Sequence, residues 1–250
     1  MGKIYNDNFN RKLLLILPSK CGSTTAEHVF GRFHHTHNGL GDPTLREINN
    51  QIKYLKHITK FPNWEKLYTS KYRPSSWDKE GFKIWMKKDF KIDVTCSVIR
   101  NPFHRMVSIY SYLKHRDISR HGSKILKKHA DSLNFEDFVD YFVNEASKQP
   151  FSADIETEIK GFKPQIEYLI DEEGKVGIEF LLCCDNLEGD VEKMMSSNRW
   201  DKHLNSFSTS PINSSPHKPY SFYYNSKTIE LVQQHEKGIL DIYKFKDKFF

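Results

Sequence analysis

The sequence predicts an α/β protein: a three-layer sandwich with a central parallel sheet flanked by helices, organised as one domain over residues 1–250. Three observations predict it. Five aliphatic residues, Leu13 to Leu17, are broken by a polar loop and followed by an amphipathic segment. A β-branched run, Val94 to Ile99, leads through Arg100-Asn101-Pro102 into a second amphipathic segment. A third run, Val176 to Cys184, alternates Val176, Ile178, Phe180 and Leu182, then passes to Leu187, Val191, Met194 and Met195 at helical spacing. Each reads as strand, turn and helix in that order.

In chain order, residues 1–12 form a polar lead-in and Leu13 to Leu17 a short buried strand. Pro18, Gly22 and the hydroxyl residues Ser19, Ser23, Thr24 and Thr25 then open a loop, and Ala26, Val29, Phe30 and Phe33 share one face of the helix that leaves it. The loop's N–H groups therefore sit at a helix N-terminus, where unpaired donors and the dipole favour phosphate or sulfate. Lys20 adds a full positive charge. A loop for a nucleoside triphosphate and its magnesium carries its lysine after the last glycine of Gly-x-x-x-x-Gly-Lys-Ser/Thr. Here Lys20 precedes Gly22, so the order Lys-x-Gly-x-Thr-Thr suits a terminal phosphate but not that metal complex.

Phe33 to Gly39 reads as a short strand ending in a turn, and it carries His34, His35 and His37. No Cys, Asp or Glu at ligand spacing completes a metal site there, whereas a histidine at a strand's carboxyl end suits a general base. Asp42-Pro43 opens a helix over Thr44 to Ile58 with Leu45, Ile48, Ile52, Leu55 and Ile58 on one stripe. Phe61 to Phe90 interleaves Trp64, Tyr68, Tyr72, Trp77, Phe82 and Trp85 with lysines; without a nucleic-acid-binding signature these aromatics are read as core and rim of an acceptor cleft.

The second motif begins at Asp93. After the strand, Asn101 is placed to cap a helix and Pro102 to occupy its first position, with Met106, Val107, Tyr110 and Leu113 as the apolar stripe. Arg100 thus stands at a strand's carboxyl end, where open α/β sheets bind ligands, and its guanidinium fork suits a phosphate monoester. Ser108, two turns into the helix, reaches the same anion only if that helix packs alongside it.

The net charge of +6 suits an anionic ligand or an acidic glycan but falls short of a nucleic-acid footprint. No apolar run approaches the length needed to span a bilayer, and Leu13 to Leu17 is too short for a signal sequence, so a cytoplasmic location is expected. The four cysteines, Cys21, Cys96, Cys183 and Cys184, lack metal or redox spacing and are expected as reduced thiols.

Taken together, Lys20-Cys-Gly-Ser-Thr-Thr25 and Val98-Ile-Arg-Asn-Pro-Phe-His-Arg-Met-Val-Ser-Ile-Tyr110 resemble the two nucleotide-binding motifs of the sulfotransferases, in particular the carbohydrate group that includes heparan sulfate 2-O-sulfotransferases. The resemblance continues more weakly through Gln165-Ile-Glu-Tyr-Leu-Ile170, Asp185-Asn-Leu-Glu188 and Asn205 to Tyr224, and so covers most of the chain. It implies a P-loop-like sandwich and an O-sulfotransferase that moves the sulfuryl group of PAPS to an acceptor hydroxyl, leaving PAP (adenosine 3′,5′-bisphosphate). By the same resemblance, Lys20, Gly22, Ser23, Thr24 and Thr25 would bind the 5′-phosphosulfate, and Arg100 and Ser108 the 3′-phosphate. Two departures stand out: Ser19 separates Pro18 from Lys20 where the family writes Pro-Lys, and Thr69 to Tyr72 lacks the catalytic histidine of the 2-O-sulfotransferase-like members. The base is therefore assigned first to His37, with His35, Glu47 and Lys71 as alternatives.

In the remainder, Asn134 caps a helix carrying Phe135, Phe138, Val139, Phe142 and Val143; Pro164 to Ile170 forms a short helix and Glu172 to Lys175 a turn. Asn205 to Pro219 is a loop that the resemblance implies closes over the cofactor, with Lys218 near phosphate, and Ile229 to Tyr243 is a closing helix. The expected partners are PAPS and a hydroxyl acceptor, most consistent with an oligosaccharide or other glycan; neither metal nor nucleic acid is expected. Two other readings are a P-loop-type kinase, against which the Lys-before-Gly order argues, and a non-catalytic binder of nucleotide or nucleic acid.

Overall fold

A computed structural model describes residues 2–6, 12–18, 20–22, 25–26, 30, 92–115, 124–146, 163–198 and 216–245. The expected strand at Phe33 to Gly39, the helix at Thr44 to Ile58, the aromatic stretch at Phe61 to Phe90 and most of the Asn205 to Pro219 loop lie outside these residues.

Among the described residues four strands form one sheet in the order β1 (Gly2–Asn6), β2 (Lys12–Ile16), β3 (Val94–Ile99) and β4 (Phe180–Cys183). β2, β3 and β4 run parallel, with Leu13 beside Val94, Ile16 beside Ser97, Cys96 beside Phe180 and Ile99 beside Cys183. The fold is thus α/β with a three-strand parallel core flanked by helices, as expected. β1 corrects the reading of a polar lead-in: residues 2–6 add an antiparallel edge strand, Gly2 beside Ile16 and Asn6 beside Lys12. An edge strand has one ladder partner, so it can form without a continuous apolar run.

Leu13 to Leu17 are all buried. Leu13, Leu15 and Leu17 pack with Val94, Cys96, Val98 and Leu182 against Leu187, Val191 and Met194 of α5 (Leu187–Asn198), which fills one face of the sheet. Both faces being covered explains the unbroken apolar run. A second core joins α1 (Pro102–His115), α2 (Lys124–Ser132), α3 (Phe135–Asn144) and α6 (Ser226–His235) around Met106, Tyr110, Phe138, Phe142 and Val232. Each such side chain contributes roughly 1.5–3 kcal/mol through burial.

The caps explain where helices begin. Asn101 Oδ1 accepts from Phe103 N–H at 3.0 Å with Pro102 first in α1, and Asn134 Oδ1 accepts from Asp137 N–H at 2.9 Å at the head of α3. Asn225 and Thr228 form a reciprocal capping box that starts α6.

Three boundaries differ from expectation. The helix within Pro164 to Ile170 is one turn, α4 (Ile166–Leu169). The ladder of β4 starts only at Phe180, because Asp171 to Lys175 makes a tight turn through Gly174 (φ 78) that pairs Val176 with Ile170 instead of with β3. The closing helix is two, α6 and α7 (Lys237–Ile242), broken at Glu236. Glu236 leaves helical geometry (φ −104, ψ 18) and turns its carboxylate inward, where it pairs with Arg105 Nη1 and accepts from Gln165 N–H at 2.8 Å. Among the described residues no helix is long and apolar enough to cross a membrane.

Candidate anion-binding site

Because β2, β3 and β4 are parallel, their carboxyl ends present residues 17, 18, 20–22, 100–102 and 184–187 at one edge of the sheet, the usual ligand edge of such folds. The first turn is tight: Cys21 N–H donates to Pro18 O at 3.3 Å, and Ala26 N–H donates to Gly22 O at 2.9 Å as the next helix begins. Lys20 is left-handed at φ 65, a conformation that costs a residue with a Cβ about 1–2 kcal/mol. It is the only such non-glycine among the described residues. Strain at a cationic residue in a strand-to-helix turn is characteristic of functional positions.

Gly22 is needed for two reasons. Its φ is 76, and a Cβ there would lie 2.6 Å from Cys184 Sγ. Gly22→Ala is therefore expected to lower stability by roughly 2–4 kcal/mol, combining backbone strain and overpacking. Adding Cys184→Ala leaves Cys184 Cβ, at 3.6 Å, as the neighbour and should restore the steric part only. Urea unfolding midpoints of the two variants check this.

Arg100 follows β3 directly. Nη1 donates to Lys20 O at 3.2 Å and Nη2 to the Tyr220 hydroxyl at 3.2 Å. Nε is buried with no hydrogen-bond partner. Burial disfavours the guanidinium's charge, but Cys184, Tyr220 and Asp185 around it outweigh that and hold it protonated. Ser108 lies buried two turns into α1, and Tyr112, four residues on, shares its face. Lys20 Nζ sits 3.9 Å from the Tyr112 ring centroid, so the lysine loop packs along the Ser108 face of the helix. Thr25 is half-buried at the start of the following helix.

Lys218 is exposed, with Nζ 5.8 Å from the Phe222 ring and its N–H donating to the Tyr223 hydroxyl at 3.3 Å. Its segment reaches the site through Tyr220, two residues on, which bonds Arg100 and stacks on His104 at 3.9 Å. Ser23, Thr24, His35, His37, Glu47 and Lys71 lie outside the described residues.

Three side chains at this edge were not singled out in the sequence. Tyr220 is one. His104, inside the second motif, places Nδ1 3.4 Å from Asp185 Oδ2; burial raises the Asp185 carboxyl, but the His104 contact and the Arg100 charge prevail and hold it below the usual carboxylate value. Gln165 is the third, fully buried between the two loops. Among the described residues no cluster of His, Cys, Asp or Glu has the arrangement of a metal site.

All four cysteines are thiols outside any disulfide. Burial pushes the Cys21 thiol up to about 12 and Cys184 to about 11, the nearby Arg105 and Arg100 opposing it in turn, and it raises Cys96 and Cys183 as well. At pH 8 a thiol-specific reagent should consume less than one equivalent from the native protein in the time that it consumes four from the urea-unfolded chain.

A parallel sheet whose carboxyl edge joins a strained lysine turn to a half-buried arginine has the construction of an α/β protein that handles anionic ligands. The chain matches the sulfotransferase family over residues 9–246 and belongs to it. Its chemistry, in general terms, is transfer of the sulfuryl group. No curated protein and no solved structure matches the chain.

Proposed function

We propose that this protein transfers the sulfuryl group of PAPS to a hydroxyl of a carbohydrate acceptor. One observation carries the reading most: Arg100, with its fork spanning from the Lys20 carbonyl to Tyr220 and its buried Nε free to donate, stands beside the lysine turn. A phosphate oxygen fits the chemistry of that donor. On this reading Arg100 and Ser108 hold the 3′-phosphate, and Lys20, Gly22, Ser23, Thr24 and Thr25 surround the 5′-phosphosulfate. The segment through Tyr220 and Lys218 borders the nucleotide. The family membership and the two motifs support PAPS as donor; the net charge of +6 and the carbohydrate-group resemblance support a glycan acceptor.

Bound PAPS supplies a sulfuryl group carried on a phosphate leaving group. Lys20 and the loop N–H groups hold developing negative charge at a site already organised before reaction, where such donors lower a barrier most. Arg100 orients through its planar fork. His37 takes the acceptor's hydroxyl proton, worth roughly 10² to 10⁴ in rate, with His35, Glu47 and Lys71 as the other bases in reach of this reading. Lys and Arg supply the cations, so no metal is assigned. The whole chain of 250 residues is read as one catalytic domain.

The test is transfer of labelled sulfate from PAPS to desulfated glycans and, in parallel, to phenols. Label on the glycan alone is expected, with His37→Ala lowering kcat by about 10²-fold while PAP affinity is retained. Label on phenols alone, or on neither, overturns the acceptor assignment.

A further inference from the structure

The two loops of the site come from neighbouring strands, and Arg100 Nη1 bonds directly to Lys20 O. A second connection runs through Gln165, which belongs to neither strand and precedes α4. Its Oε1 accepts from Arg100 N–H at 2.8 Å and from Cys21 Sγ at 3.0 Å, while Nε2 donates to Arg100 C=O at 2.9 Å. The amide thus pairs with Arg100's backbone as a strand neighbour would, and with its second lone pair it holds the residue after Lys20. Its own backbone N–H is anchored on Glu236, itself paired with Arg105, so the bridge is fixed to the core and not to a loop.

We propose that Gln165 is a positioning residue that sets the spacing between the lysine loop and the arginine loop, and with it the span over which one ligand must carry two anions. The inference rests on the reading that these loops hold the two ends of PAPS. Glutamine is the residue this role requires. Asparagine is one methylene short of both loops, and glutamate has no donor for the Arg100 carbonyl. A displaced Cys21 would move Lys20 with it, because the two are adjacent and Lys20 is already held in a strained conformation.

A ligand gripped at two points gains affinity from the second grip only when the sites stand at the right separation. The experiment compares PAP, which has two anionic ends, with adenosine 5′-phosphate, which has one, by calorimetry. Wild type should strongly prefer PAP. Gln165→Met keeps the volume and removes the three side-chain bonds; it should weaken PAP at least about tenfold and adenosine 5′-phosphate by no more than about twofold. Cys21→Val cuts the link from Gln165 to the lysine loop while the two Gln165 bonds to Arg100 remain, and should shrink the preference as well; Cys21→Ser, which keeps a donor there, should rescue it. Cys21→Val also carries the test if Gln165→Met does not fold. An unchanged preference in Gln165→Met and Cys21→Val, with only the melting temperature lowered, would overturn the positioning role and leave the proposed function standing. No preference for PAP in wild type would instead sink the two-anion reading itself.

Discussion

Arg100→Ala is expected to weaken PAP binding by at least about 10²-fold while leaving ATP, which has no 3′-phosphate, within about threefold. The magnitude follows from the bonds lost. A charge-assisted hydrogen bond contributes about 1.5–3 kcal/mol, and the fork of Arg100 offers Nε in addition to the two nitrogens that reach Lys20 O and the Tyr220 hydroxyl. Arg100→Lys should rescue little, because an ammonium cannot present a planar fork. The check is a pair of calorimetric titrations on each variant beside its melting curve. An Arg100→Ala protein that binds PAP like wild type would remove Arg100 from the site.

The second large effect is on stability. Arg105 and Glu236 are each 1% exposed and pair directly, with Arg105 Nη2 also donating to Lys163 O at 2.9 Å. Burial works against the Arg105 charge, and the Glu236 carboxylate overrides it. Removing one partner leaves an uncompensated buried charge, which costs about 3–5 kcal/mol. Arg105→Met should therefore lower the melting temperature by roughly 6–20 °C in a chain of this size. Arg105→Met combined with Glu236→Gln should recover most of the loss, since the neutral amide no longer needs a cation and still accepts from Gln165 N–H. Added salt should change the effect little, because the pair is shielded from solvent ions. If the double variant is no more stable than Arg105→Met, the unpaired charge is not the cause.

Those two residues also show what could be read from the chain and what could not. β3 and the start of α1 were legible because the signals are local: a β-branched run, then Asn101 as cap and Pro102 at the first helical turn. The Asn134 cap and the Phe138–Phe142 stripe of α3 are legible for the same reason. Arg105 and Glu236 read as ordinary charges on helical segments. Their pairing spans 131 residues, and it is this contact that turns Glu236 inward and divides the expected closing helix in two. The alternation of Val176, Ile178, Phe180 and Leu182 was visible, yet the turn at Gly174 uses Val176 to pair with Ile170, leaving only Phe180–Cys183 for the sheet.

The site divides in the same way. Lys20 and Arg100 stand out because a strand's end marks them, and Ser108 because it shares a motif with Arg100. Gln165 and Tyr220 carry no local mark: they matter through bonds to Arg100 across 65 and 120 residues. A strained lysine is equally invisible in a sequence, since Lys20 takes its left-handed conformation only within the folded turn.

The most direct measurement is calorimetric titration of the wild-type protein with PAP and with ATP, without metal and then with magnesium. Tight binding of PAP without metal, with ATP at least about tenfold weaker in both conditions, is the predicted result. Failure to bind PAP, or preference for ATP once magnesium is added, would contradict the assignment of a PAPS site and return the lysine loop to the kinase reading.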